Sequence, residues 1–72
     1  MCLALPGKIV SMDGDYALID INGNIFRVYI RLLAEAQPGD YVMVHAGYAI
    51  QFVDEKEAQI TLDLLKEMEE HG

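Results

Sequence analysis

Basic side chains are scarce in this 72-residue chain: five Lys and Arg stand against twelve Asp and Glu, a net charge of −7. Such a balance repels phosphate backbones and anionic membrane surfaces and lacks the basic footprint of nucleic-acid binders. Neither nucleic acid nor a membrane is expected as a partner. Cysteine is nearly absent, and the single Cys2 allows no internal disulfide. A domain this small in an oxidising compartment normally relies on several, so a cytoplasmic location is expected. No apolar run approaches the ~20 residues of a membrane helix. Met1-Cys2-Leu3-Ala4-Leu5 supplies only five apolar residues before Pro6, too few for a signal-peptide core. Residue 2 is not the glycine that myristoylation needs. Two Pro and six Gly are too few for a disordered chain, and 53% hydrophobic residues are the content of a globular one. The length fits one compact module that hides only ~60% of its unfolded surface, which disfavours a large, self-sufficient enzyme.

What is present reads as short strands between turn formers. Pro6-Gly7, Asp13-Gly14, Asn22-Gly23 and Pro38-Gly39 are each able to redirect an extended chain. Between them, Ile9 to Met12, Tyr16 to Ile21 and Ile25 to Ile30 are rich in β-branched and aromatic residues, and Asn22-Gly23 is a strong hairpin signal. Arg31 to Ala36 favours a helical turn by composition and serves as a connector. Asp40 to Val53 is a long extended run interrupted by Gly47, which predicts two strands joined by a bend. From Glu55 onward the period becomes helical. Ala58, Ile60, Thr61, Leu62, Leu64, Leu65 and Met68 fall on one side, and Asp54 with Glu57 has the form of a capping box. About five strands followed by one helix predict a mainly β fold: a small OB-like β-barrel over residues 1–54 with a C-terminal α-helix over 55–70, in a single domain 1–72.

Two residue types carry the chemistry. Cys2 becomes the terminal residue if the initiator Met1 is trimmed, and an ammonium beside its thiol then favours the thiolate, with Lys8 beyond the Pro6-Gly7 turn adding to the effect. A lone cysteine is otherwise a small buried hydrophobe. His45 alternates with Val42 and Val44, so it is expected on the outer face, followed by the small residues Ala46 and Gly47 that let another molecule approach. A structural, hydrogen-bonded histidine is the bland alternative. One thiolate and one imidazole make either a catalytic pair or an incomplete metal site. No local signature for an orienting third group or an oxyanion cradle accompanies them. Two ligands are also too few for structural zinc, and there is no Cys-x-x-Cys. The donor set suits iron, zinc or copper rather than calcium or magnesium, in a site completed from elsewhere that hands a metal over. The scattered acids read as a solvated surface. Tyr16, Tyr29, Tyr41 and Tyr48 read as packing residues, with Tyr48 near His45 the one placed to face a partner.

Two segments together resemble a known family. Met1-Cys2-Leu3-Ala4-Leu5-Pro6-Gly7-Lys8 is similar to the amino-terminal signature of the HypC/HupF-type hydrogenase maturation chaperones, and Gly39-Asp40-Tyr41-Val42-Met43-Val44-His45-Ala46-Gly47-Tyr48-Ala49-Ile50 is the second part of the resemblance. The resemblance implies an OB-like barrel and a non-enzymatic role in assembling the [NiFe]-hydrogenase active site. It further implies that the chain binds the scaffold protein HypD, takes up iron transiently as an Fe(CN)2CO unit shared with HypD, and delivers it to the hydrogenase large-subunit precursor. Under it, Cys2 is the iron-ligating thiolate and His45 the accessory metal residue. Cys2, Leu3, Pro6, Gly7, Lys8, Gly47 and Tyr48 form the partner-binding set, with Pro6 and Gly7 shaping the turn that presents Cys2.

Two rival readings make different predictions. A small enzyme with Cys2 as nucleophile and His45 as base would react with an electrophile without any partner. An inert interaction module with Cys2 merely packed would keep its partners after Cys2→Ala.

Overall fold

The computed structural model describes residues 4–71, and the side chains of all of these except 66 and 68–71. The elements are β1 (Leu5–Asp13), β2 (Tyr16–Ile21), β3 (Asn24–Tyr29), β4 (Tyr41–His45), β5 (Tyr48–Val53) and α1 (Glu55–His71). The five strands close into a barrel in the order β1-β2-β3-β5-β4, the predicted OB-like arrangement. No described helix is long and apolar enough to cross a membrane.

The β2–β3 hairpin forms at Asn22-Gly23, where both residues have positive φ (52° and 90°), the geometry that matches a two-residue turn to the twist of its strands. The Asp20 carboxylate also accepts the Gly23 N–H at 2.9 Å. Pairing from Tyr16↔Tyr29 to Ile21↔Asn24 sends Ala17, Ile19 and Ile21 inward, opposite Val28, Phe26 and Asn24 in turn. With Ile9, Ile30, Ala36, Val42 and Ala49 these residues make the core, and Leu5, Leu33, Val44 and Leu62 pack against it.

Pro6-Gly7 is not a turn. Both residues are buried within β1, opposite Met43 and Val42 of β4. β1 pairs with β4 from Leu5 to Lys8 and with β2 from Lys8 to Asp13, so one long strand serves two neighbours in succession. Proline is tolerated because β2 pairing begins only at Lys8, leaving Pro6 paired on one side. Glycine is required because a Cβ on Gly7 would collide with Ile19 Cγ2, meet Ile21 Cγ1 at 2.8 Å and the Asp20 carbonyl at 3.2 Å. The pair therefore allows a close strand crossing, where the sequence pattern alone reads as a reversal.

Residues 31–36 form successive turns rather than a helix, with Leu33 N–H donating to Ile30 O at 2.9 Å and Ala36 N–H to Leu33 O at 3.0 Å. Anchoring Leu33 and Ala36 in the core overrides the helical preference of the sequence. The break at residue 47 is the β4–β5 turn, as the glycine predicts, while the irregularity in pairing lies earlier, between Met43 and Val44.

On α1, only part of the expected apolar arc is used. Ala58 is fully buried and Leu62 packs on the core, whereas Ile60 and Leu64 are 58% and 56% exposed. Asp54 precedes the helix and its carbonyl accepts the Ala58 N–H at 2.9 Å. The reciprocal side-chain bonds of a capping box are absent among the described residues, and the Thr61 hydroxyl instead donates to the Glu57 carbonyl.

Candidate functional site

His45 ends β4, half-buried, and sits opposite Tyr48 across the β4–β5 turn. The turn residues Ala46 and Gly47 both have positive φ, 52° and 85°. Gly47 adopts this freely, but Ala46 is a non-glycine residue in the left-handed region, a strained position of the kind found beside functional sites. The small side chains leave the backbone next to the imidazole open, as the sequence predicts.

β1 begins at the same end. Leu5 lies opposite Val44, one position before His45. Cys2 and Leu3 lie outside the described residues; three peptide units separate Cys2 from Leu5, a chain reach of ~10 Å. Lys8 marks the far end of the same ladder, opposite Tyr41, with its Nζ 6.0 Å from the Tyr41 ring centroid. It lines a separate cleft against α1 together with Asp20 and Asp63. The expected assistance of Lys8 to the Cys2 thiol involves a residue outside the described ones.

Next to His45 the barrel mouth forms two adjoining apolar clefts of about 270 and 240 Å3 that share Leu5, Ile21 and Phe26. One continues to Leu62 and Leu65 of α1, the other to Val44, Ala46 and Gly47. Phe26 faces the barrel interior by strand alternation, as Val28 does, yet is 49% exposed because it sits at the rim. Sequence reasoning passed over Phe26. The available signal was its inward parity at the start of β3.

The tyrosines pack as expected. Tyr16 and Tyr29 meet edge to face at 5.6 Å, and Tyr29 and Tyr48 at 5.5 Å, so three rings cross β2, β3 and β5 and end beside His45. The Arg27 guanidinium lies 3.7 Å over the Tyr16 ring. Tyr48, 49% exposed, presents the outermost ring.

Among the described residues, no three His, Cys, Asp or Glu side chains converge as a metal site. A metal held by His45 would take its other ligands from outside that set, and imidazole with thiolate suits a borderline or soft transition metal. The arrangement offers one half-buried imidazole, an open turn, an apolar mouth and the first residue of β1, all at one end of the barrel.

Known proteins share this layout in sequence. The model of the HupF/HypC family matches residues 1–65, which includes the chain start, the β4–β5 turn and most of α1. The hydrogenase maturation factor HypC of Cupriavidus necator is 43% identical over 70 residues, covering 96% of this chain and 78% of the relative. The HypC of Synechocystis sp. is 45% identical over 74 residues, covering 94% and 97%. The hydrogenase maturation factor HybG of Escherichia coli K12 is 36% identical over 76 residues, covering 96% and 93%. With its barrel, its terminal helix and nearly its whole length accounted for, the chain belongs to the HupF/HypC family.

Proposed function

We propose that the chain is a hydrogenase maturation factor that carries iron as cargo: it binds HypD, takes up an Fe(CN)2CO unit there and delivers it to the [NiFe]-hydrogenase large-subunit precursor. It acts as an assembly chaperone, not as an enzyme. The observation that supports this reading is the Leu5↔Val44 register, which sets the first residue of β1, three positions after Cys2, at the barrel end where His45 stands. Cys2 at the trimmed terminus supplies a thiolate favoured by its own α-ammonium. Low-spin iron bearing cyanide and carbon monoxide accepts such a soft ligand, and His45 lies within reach as an accessory donor. HypD supplies the remaining coordination, which lets the cargo leave again. The apolar mouth with Phe26 and Gly47, next to the exposed Tyr48, gives the partner a surface to close over, and closure keeps water from the iron. Pro6 and Gly7, being buried, contribute by setting the path of β1 rather than by touching the partner.

The test is co-purification with HypD from anaerobic cells, with iron counted and cyanide and carbonyl bands sought by infrared. The wild-type complex is expected to show both bands, and Cys2→Ala is expected to lose the complex or its iron. A Cys2→Ala protein that still forms an iron-loaded complex and supports maturation overturns the reading.

A further inference from the structure

The barrel has one unfinished seam. β3 pairs with β2 along its whole length, but toward β5 only Tyr29 has a strand partner, Tyr48. The Tyr29 N–H donates to the Gly47 carbonyl at 2.9 Å, so odd-numbered residues of β3 aim their main-chain groups at this open side. The hairpin agrees independently: a two-residue turn closes on a hydrogen-bonded pair, here Ile21↔Asn24, which turns the even residues of β3 toward β2. The N–H and C=O groups of Ile25 and Arg27 therefore point outward, and among the described residues neither has a strand partner on that side. The edge from Asn24 to Arg27 carries no lysine or proline of the kind that usually blunts edges, and its one charge, Arg27, has its guanidinium over the Tyr16 ring. Ile25 and Phe26 are 54% and 49% exposed. Beside this edge lies the 240 Å3 cleft lined by Phe26, Arg27, Val44, Ala46 and Gly47.

From this geometry we infer that the open edge of β3 is a strand-addition site, which an extended segment of a partner protein joins by main-chain hydrogen bonds while one of its apolar side chains fills the Phe26 cleft. Unsatisfied strand groups next to an apolar pocket are the two requirements of that recognition mode. The occupant is not a second copy of this chain, because pairing two molecules of net charge −7 is opposed by their own repulsion. The same net charge favours a segment bearing Lys or Arg at positions away from Arg27, the one charged residue lining the cleft. The inference rests on the proposed partnership with HypD and assigns the contact through which HypD is held.

Hydrogen exchange of the full-length protein, free and mixed with HypD, tests it directly. The amides of Ile25 and Arg27 are expected to gain at least about tenfold protection in the complex, while those of Phe26 and Val28, bonded to β2, change little. Arg27→Pro removes one edge N–H without touching the β2 ladder, a substitution that edge strands accept. It is expected to weaken HypD binding at least about tenfold, whereas Arg27→Ala retains it. A HypD complex with Ile25 and Arg27 still unprotected overturns the strand-addition site alone. Absence of any complex with the wild-type protein overturns the partnership as well. Protection of the same amides in a self-associated free chain, seen by sedimentation, shows a second copy in the site and also overturns the proposal.

Discussion

Tyr29 and Tyr48 form the only strand pair between β3 and β5 among the described residues, and their rings meet edge to face at 5.5 Å and 76°. Barrel closure rests on this contact and on the Tyr29 N–H bond to Gly47. An edge-to-face pair contributes about 0.5–1.5 kcal/mol beyond its burial. Tyr48→Ala is expected to lower stability by about 1–2 kcal/mol, read from the urea midpoint at unchanged slope. A midpoint equal to wild type would show that closure does not depend on the rings.

Gly7→Ala is expected to be more damaging than a surface change of the same size. The added methyl meets Ile19, Ile21 and the Asp20 carbonyl, so β1 must move away from β2. Overpacking of this kind costs about 1–3 kcal/mol. In a domain this small each kcal/mol shifts Tm by about 4–8 °C. Calorimetry on the purified variant checks the fall, and an unchanged Tm would contradict the close crossing.

Ala46→Gly should act in the opposite direction. With φ at 52°, Ala46 bears the left-handed penalty of roughly 1–2 kcal/mol that glycine does not. Part of the gain is offset by the greater freedom of glycine in the unfolded chain, leaving about 0.5–1 kcal/mol of added stability. Thermal unfolding measures it, and a destabilised variant would argue against strain at the turn.

The helix separates stability from surface. Leu62 packs on the core and Leu65 lines the cleft with Leu5, Ile21 and Phe26, so Leu65→Asp is expected to lower Tm. Ile60→Ser, on the exposed side, is expected to stay within about 0.5 kcal/mol of wild type. Equal effects of the two substitutions would overturn this division of the helix face.

His45→Ala is expected to retain HypD in co-purification yet reduce the iron reaching the large-subunit precursor, counted by metal analysis and infrared bands. The residue stands half-buried at the barrel end, beside the apolar mouth without lining it. Full transfer by this variant would remove His45 from the pathway.

Local chemistry determined much of this protein. Asn22-Gly23 specified a hairpin because both residues tolerate positive φ, alternation along Tyr16 to Ile21 specified its buried face, and the 3.6-residue period after Glu55 specified the helix. His45 at the end of the fourth strand, beside a turn of small residues, was also legible, since it depended only on residue types and their order. Tertiary structure decided what composition leaves open. Pro6-Gly7 became a strand interior because its meaning depends on Ile19 and Ile21 passing within contact distance, which no local pattern contains. Leu33 and Ala36 were drawn into the core and unmade a helical turn, and of four leucines and isoleucines on one helix side only some met the barrel. The open edge of β3 was beyond sequence altogether. Whether a strand's outward N–H finds a partner depends on how the barrel closes, and that is settled by packing between elements far apart in the chain.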